Sequence, residues 1–246
     1  MKNKQLLLPA VSIVTAILTT GCIVISLNGC GMKTVKGSGN LVTEKRQLSD
    51  FNQISLQGTG KVTLSKGDRQ YLKIRTDDNV MPLIETDVRN GKLEISHSRW
   101  NLRPTTLEYF ITVKDLKGAS ISGSGDISGK DRFVSDDFYT DVSGAGNISL
   151  ELDVAQLDSN ISGSGSIQLR GKANSYDASI TGSGKVSAFG METKNASITI
   201  TGSGNCRVNV LEKLRAKITG SGDVRYKGQP RITRKITGSG SVKSIN

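Results

Sequence analysis

Two aspartates, Asp158 and Asp177, each lie five residues before a Gly-Ser-Gly triplet. If the chain returns to one place once per triplet, their carboxylates come within about 5 Å of each other, near the spacing of nucleophile and acid in a retaining glycosidase. On a chain with 22 acidic residues, an exposed acid pair is more commonly solvated charge, or at most an adventitious cation site. His97 is the sole histidine, so a Ser-His-Asp or Cys-His relay has to be built around it, and a multi-histidine zinc site is excluded. Neither a Gly-Gly-x-Gly-x-Asp calcium repeat nor a phosphate-binding loop occurs, because Gly-Ser-Gly recurs as a bend and does not open a single helix. No metal, cofactor or nucleic acid is expected. The composition best suited to recognition is Ser96-His97-Ser98-Arg99-Trp100-Asn101-Leu102-Arg103-Pro104, which gathers the only Trp, the only His and two Arg. Trp100 can stack on a sugar while Arg99 and Arg103 pair with anionic groups. The alternative is that Trp100 closes the apolar core and the arginines stay in water.

The element that must position these residues is a repeat. Gly-Ser-Gly, once Gly-Ala-Gly, begins at Gly123, Gly144, Gly163, Gly182, Gly202, Gly220 and Gly238, in steps of 18 to 21 residues, and related triplets begin at Gly37 and Gly58. A Gly/Ser linker would bury nothing, and the flanks rule one out. Two residues before the triplet stand Ile121, Val142, Ile161, Ile180, Ile200, Ile218 and Ile236; four after its first Gly stand Ile127, Ile148, Ile167, Val186, Cys206, Val224 and Val242. Six before it the later copies carry Phe138, Leu157, Tyr176, Ala196, Leu214 and Ile232, with Ser or Thr directly preceding each triplet. That is the alternation of half-buried strands. Two short strands meeting at a glycine bend cannot bury a core alone, but stacked coils share one. The expected fold is therefore all-β, a right-handed parallel β-helix (β-solenoid) with 18–21-residue Gly-Ser-Gly coils, its hand following from the preference of parallel crossovers. Cys206 falls in an inward column and reads as a small buried hydrophobe.

Between Gly58 and Gly123 the triplet is missing. Strand-like runs at 71–76, 83–88, 93–96 and 107–113, with a turn at Asn90-Gly91, predict wider coils or a small β cap there. The chain divides into a lipoprotein signal peptide at 1–29, a tether at 30–36, a less regular N-terminal solenoid or cap at 37–117, and the regular solenoid at 118–246. Met-Lys-Asn-Lys followed by an apolar stretch from Leu6 to Leu27 has the grammar of export. Cys30 is the preferred lipid attachment residue because Leu27 stands three before it; Cys22, with Thr19 in that place, is the alternative, and an uncleaved membrane helix is the other. Cys206 is the only cysteine beyond the signal, so no intrachain disulfide is expected.

Without residues 1–30 the chain keeps 31 basic and 22 acidic residues, and the stretch from Cys206 to Asn246 alone holds ten basic and two acidic ones. Arg225, Lys227, Arg231, Arg234 and Lys235 mark a candidate patch for an anionic surface. The alternative is that like charge at an open solenoid end discourages end-to-end stacking.

Gly37-Ser38-Gly39-Asn40, Phe51-Asn52-Gln53-Ile54-Ser55, Gly58-Thr59-Gly60-Lys61-Val62, Thr76-Asp77-Asp78-Asn79-Val80 and Asn90-Gly91-Lys92-Leu93-Glu94-Ile95, with the later coils, resemble the bacterial family called putative auto-transporter adhesin, head GIN domain, over residues 37–246. The resemblance implies an exported β-helical protein, often a lipoprotein, and brings no catalytic motif. Because the sequence ends in a repeat and shows no translocator barrel, the chain is not expected to be an autotransporter itself. The expected function is a membrane-tethered, noncatalytic module of the bacterial cell envelope, presenting its surface to an anionic lipid, lipopolysaccharide, glycan or protein. A structural protein assembling through solenoid ends and, less favoured, a polysaccharide-active enzyme are the rivals.

Overall fold

The computed structural model describes residues 34–97 and 101–245. In chain order the strands are β1 (Thr34–Lys36), β2 (Leu41–Arg46), β3 (Gln53–Gly58), β4 (Lys61–Lys66), β5 (Tyr71–Asp77), β6 (Ile84–Arg89), β7 (Lys92–His97), β8 (Asn101–Arg103), β9 (Leu107–Val113) and β10 (Gly118–Gly123). There follow β11 (Asp126–Gly144), β12 (Asn147–Gly163), β13 (Ser166–Gly182), β14 (Lys185–Gly202), β15 (Asn205–Gly220), β16 (Asp223–Lys227), β17 (Arg231–Thr237) and β18 (Ser241–Ser244). From β10 onward each strand pairs in parallel with the strand one coil away, giving a β-solenoid of about seven turns. The segments running into the glycine bends stack as an inbound wall; those leaving them stack as an outbound wall.

Glycine fixes the corner between the walls. The first glycines of the triplets align from Gly58 and Gly123 through Gly220. Gly182 has φ +111°, and a Cβ there would lie 2.6 Å from the Gly163 carbonyl oxygen, an oxygen that accepts the Ser183 N–H at 2.9 Å. The second glycine serves packing: at Gly204 a Cβ would lie 2.5 Å from Cγ2 of Ile180, which fills the corner from the coil before. Unequal coil lengths are absorbed away from this bend, where the register shifts between Ser128 and Arg132, Gln168 and Arg170, and Ala188 and Glu192. Inside, the expected columns hold. Ile161, Ile180 and Ile200 are in register and at most 2% exposed, and Thr140 and Ser159 satisfy each other by a buried 2.7 Å hydrogen bond.

The two ends of the stack differ. At the N-terminal end β7 lies parallel on β3, and β6 folds back antiparallel on β7 through Asn90 (φ 52°) and Gly91 (φ 72°), the left-handed pair that a two-residue hairpin turn needs. On the other wall β9 lies parallel on β4, β5 antiparallel on β9, and β2 antiparallel on β5. Antiparallel strands thus terminate both walls. At the C-terminal end β17 is exposed along its length, with Ile232 at 38% and Ile236 at 36%. These two residues keep the core-facing position that their spacing predicts, but among the described residues no further coil covers them.

The first triplet departs from the sequence-based expectation. Gly37-Ser38-Gly39 is not a rung, for β1 pairs only with β8, β2 runs antiparallel, and Leu41 is 37% exposed. The triplet is held instead by Asp77, Asp78 and Asn79. Asp77 accepts the Gly39 N–H (2.8 Å), the Thr105 N–H (2.8 Å) and the Thr105 hydroxyl (2.7 Å). Asp78 accepts the Ser38 hydroxyl and the Asn40 side-chain amide, while the Asn79 side-chain oxygen Oδ1 accepts the Ser38 N–H. The Thr105 hydroxyl foremost, with these backbone donors, holds the Asp77 carboxyl below the usual carboxylate range although burial opposes it. The same letters that make a bend elsewhere here make a clasp.

Candidate binding surface

Cys22, Cys30, Arg99 and Trp100 lie outside the described residues. His97 ends β7, and its ring packs over Gly58, where the next glycine of the ladder would otherwise stand. Arg103 is exposed on β8, in the separate two-stranded sheet, and its carbonyl accepts the Gly37 N–H. The part of the predicted recognition loop that is described therefore belongs to the cap. Cys206 is fully buried, and burial pushes its thiol up to about 12, so it behaves as core.

Asp158 and Asp177 are direct partners across β12 and β13, as their spacing predicts, and both are exposed on the inbound wall. Partial burial, then the charges of Asp177 and Asp137, raise the Asp158 carboxyl above its ordinary value. One member of a like-charged pair is thus held more readily protonated, but both carboxylates stand exposed on the outer face of the wall.

The basic residues form ordered arrays. Arg207, Arg225 and Lys243 are in register on three successive coils of the outbound wall. On the inbound wall Lys213 pairs with Arg231 and Lys217 with Lys235, with Arg215 between them. Lys227 lies over the Phe189 ring, 5.0 Å from its centre. Arg234 is different, because its register partner is the buried Ala216. Ion pairs among the described residues use only Arg46, Arg75, Arg89 and Arg132, so these C-terminal cations have no internal counter-charge within salt-bridge distance. Stacked at about 4.8 Å, inside the roughly 8 Å screening length of physiological salt, they reinforce one positive potential. Two guanidinium forks above an ammonium match phosphate or carboxylate groups repeated along a surface. Arg207 was not singled out from the sequence, although it stands five residues after Gly202 as Arg225 does after Gly220 and Lys243 after Gly238.

The sequence model of the family described as putative auto-transporter adhesin, head GIN domain, matches residues 50–230. No curated protein is significantly similar to the chain. Among solved structures, a putative adhesin from Bacteroides fragilis NCTC 9343 superposes with a TM-score of 0.82 at 25% identity, covering 86% of this chain and 100% of that one. A putative adhesin from Parabacteroides merdae ATCC 43184 (TM-score 0.71) and a putative lipid binding protein from Parabacteroides distasonis ATCC 8503 (TM-score 0.74) are each 26% identical, covering 87% of this chain and 100% of theirs.

Proposed function

We propose that this chain, which belongs to the putative auto-transporter adhesin, head GIN domain family, is an exported, lipid-anchored binding module of the bacterial cell envelope that holds anionic groups on its basic C-terminal coils and performs no catalysis. The observation that carries this reading is the ladder Arg207–Arg225–Lys243, three cations on one wall with no acid within salt-bridge distance among the described residues, the neighbouring Asp223 accepting a hydrogen bond from the Ser241 hydroxyl instead. Neighbours in the same fold described as putative adhesins, and one described as a putative lipid binding protein, support a binding role and a membrane-related ligand. The layout supports it too. The chain enters the described unit at β1, beside β8 of the cap, while the ladder lies at the other end of the stack, roughly 30 Å along the axis.

Phosphate-bearing lipid head groups are the proposed ligand, since charge recurring at molecular spacing across a surface suits a ladder better than a single small anion does. The polysaccharide-active reading is weaker, because Asp158 and Asp177 sit on an open wall. Assembly through solenoid ends is weaker as well, because one end is closed by antiparallel strands and the other carries inward Arg234. Cosedimentation with phosphatidylcholine vesicles, with and without phosphatidylglycerol, tests the proposal: binding only to the anionic vesicles is expected, and equal binding or none would reject it.

A further inference from the structure

Over its six C-terminal coils, β11 to β15 and β17, the outer face of the inbound wall changes from acidic to basic. Three successive coils place Asp137 and Asp141, then Asp158, then Asp177 on it. The next coil offers only amide and hydroxyl side chains between Asn195 and Thr201. The last two coils place Lys213, Arg215 and Lys217, then Arg231 and Lys235. None of these side chains has an ion-pair partner within salt-bridge distance among the described residues.

We propose that this wall is an interface between two copies of the chain, packed face to face about a two-fold axis beside the neutral coil, so that the acidic half of each copy meets the basic half of the other. A two-fold axis parallel to the strands, and so perpendicular to the solenoid axis, reverses the order of the coils, which is the operation that sets the Asp137 coil against the Arg231 coil and the Asp158 coil against the Lys213 coil. No translation or head-to-tail stacking along the axis brings the two halves together in this way. These six coils span about 29 Å and about seven residues of width, about 23 Å, so two copies would bury roughly 1,300 Å² in total, at the lower limit for a specific dimer. A hollow of about 540 Å³ beside Lys213 and Arg231 leaves room for side chains from the facing copy. The face is polar, so its affinity comes from charge complementarity and falls with salt. The Arg207–Arg225–Lys243 ladder, on the other wall, stays open in this dimer.

The test is the mass in solution of the full chain in detergent, followed by sedimentation velocity at about 20 mM and about 500 mM salt. The wild type should be a dimer at low salt and dissociate at high salt. The variants Asp158→Lys with Asp177→Lys, and Lys213→Glu with Arg215→Glu, should each raise the dimer Kd roughly 100-fold, and an equimolar mixture of the two should recover a dimer. All four positions are exposed, and unchanged melting temperatures show that the variants fold. A wild type monomeric at low salt, dimerisation indifferent to both reversals, or folded variants that fail to complement each other would overturn the proposal.

Discussion

Arg234 stands in register with Ala216, at the position where the preceding coils turn Ala178, Ile198 and Ala216 into the core. The last rung therefore sets a cation between Ile232 and Ile236 on the face that another coil would cover. An inward charge on an edge strand is an effective block to further strand addition, because burying it unpaired costs several kcal/mol. Arg234→Ile should remove the block and cause concentration-dependent association read by light scattering at about 500 mM salt, where the face-to-face dimer is dissociated, whereas Lys235→Gln, on the outer face, should leave the scattering at that salt unchanged.

The interior column gives a sharper test of packing. Ile180→Asp buries an unpaired carboxylate between Ile161 and Ile200 and should cost about 4 kcal/mol or more in denaturant unfolding, while Ser179→Asp should stay within about 0.5 kcal/mol. Gly182→Ala should cost about 2–3 kcal/mol, since it meets both a left-handed φ and the Gly163 carbonyl. Equal costs at Ile180 and Ser179 would contradict the column.

The Asp77 clasp sets an acid limit. Its carboxyl is held below the unfolded value, so its stabilisation is complete above the ordinary carboxylate range and is lost as pH falls through the lowered native value. Relative to the intrinsic rate at each pH, hydrogen exchange at the Gly39 and Thr105 amides should be slow at neutral pH and should lose that protection once the pH falls below the ordinary carboxylate range. Asp77→Asn should exchange fast at both, and an unchanged acid response in that variant would contradict the assignment.

Anchoring is tested apart from binding. Cys30→Ala should abolish incorporation of a fatty-acid analogue and leave the precursor unprocessed, and Cys22→Ala should do neither. An acylated N-terminus at Cys22 in the mass spectrum would move the anchor.

The regular coils were legible because every determinant is local and repeats: the glycine bend, the Ile and Val two and four positions from it, and the carboxylates of Asp158 and Asp177 five before it. The cap was less so. Its partners, such as Leu41 with Asp77 and Tyr71 with Thr112, lie 36 and 41 residues apart, and nothing in the local alternation distinguishes antiparallel pairing from a wider coil. Gly37-Ser38-Gly39 misleads because its role is set by Asp77 and Asp78, far along the chain. Arg234 was readable from its place midway between Ile232 and Ile236, but counting charge by segment hides which face each cation occupies. For the same reason the opposed charge of the inbound wall emerges only when the register joins Asp158 and Asp177 to Arg215 through Ser197.

The most direct test of the binding account is the salt dependence of vesicle association for the wild type and for the variant Arg207→Gln with Arg225→Gln and Lys243→Gln. Each lost phosphate contact removes roughly 1 kcal/mol near an anionic surface. The triple variant should therefore bind phosphatidylglycerol vesicles about 100-fold more weakly at low salt, with a shallower salt dependence and an unchanged melting temperature. Wild-type affinity and salt dependence in the folded triple variant would contradict the assignment of ligand binding to this ladder.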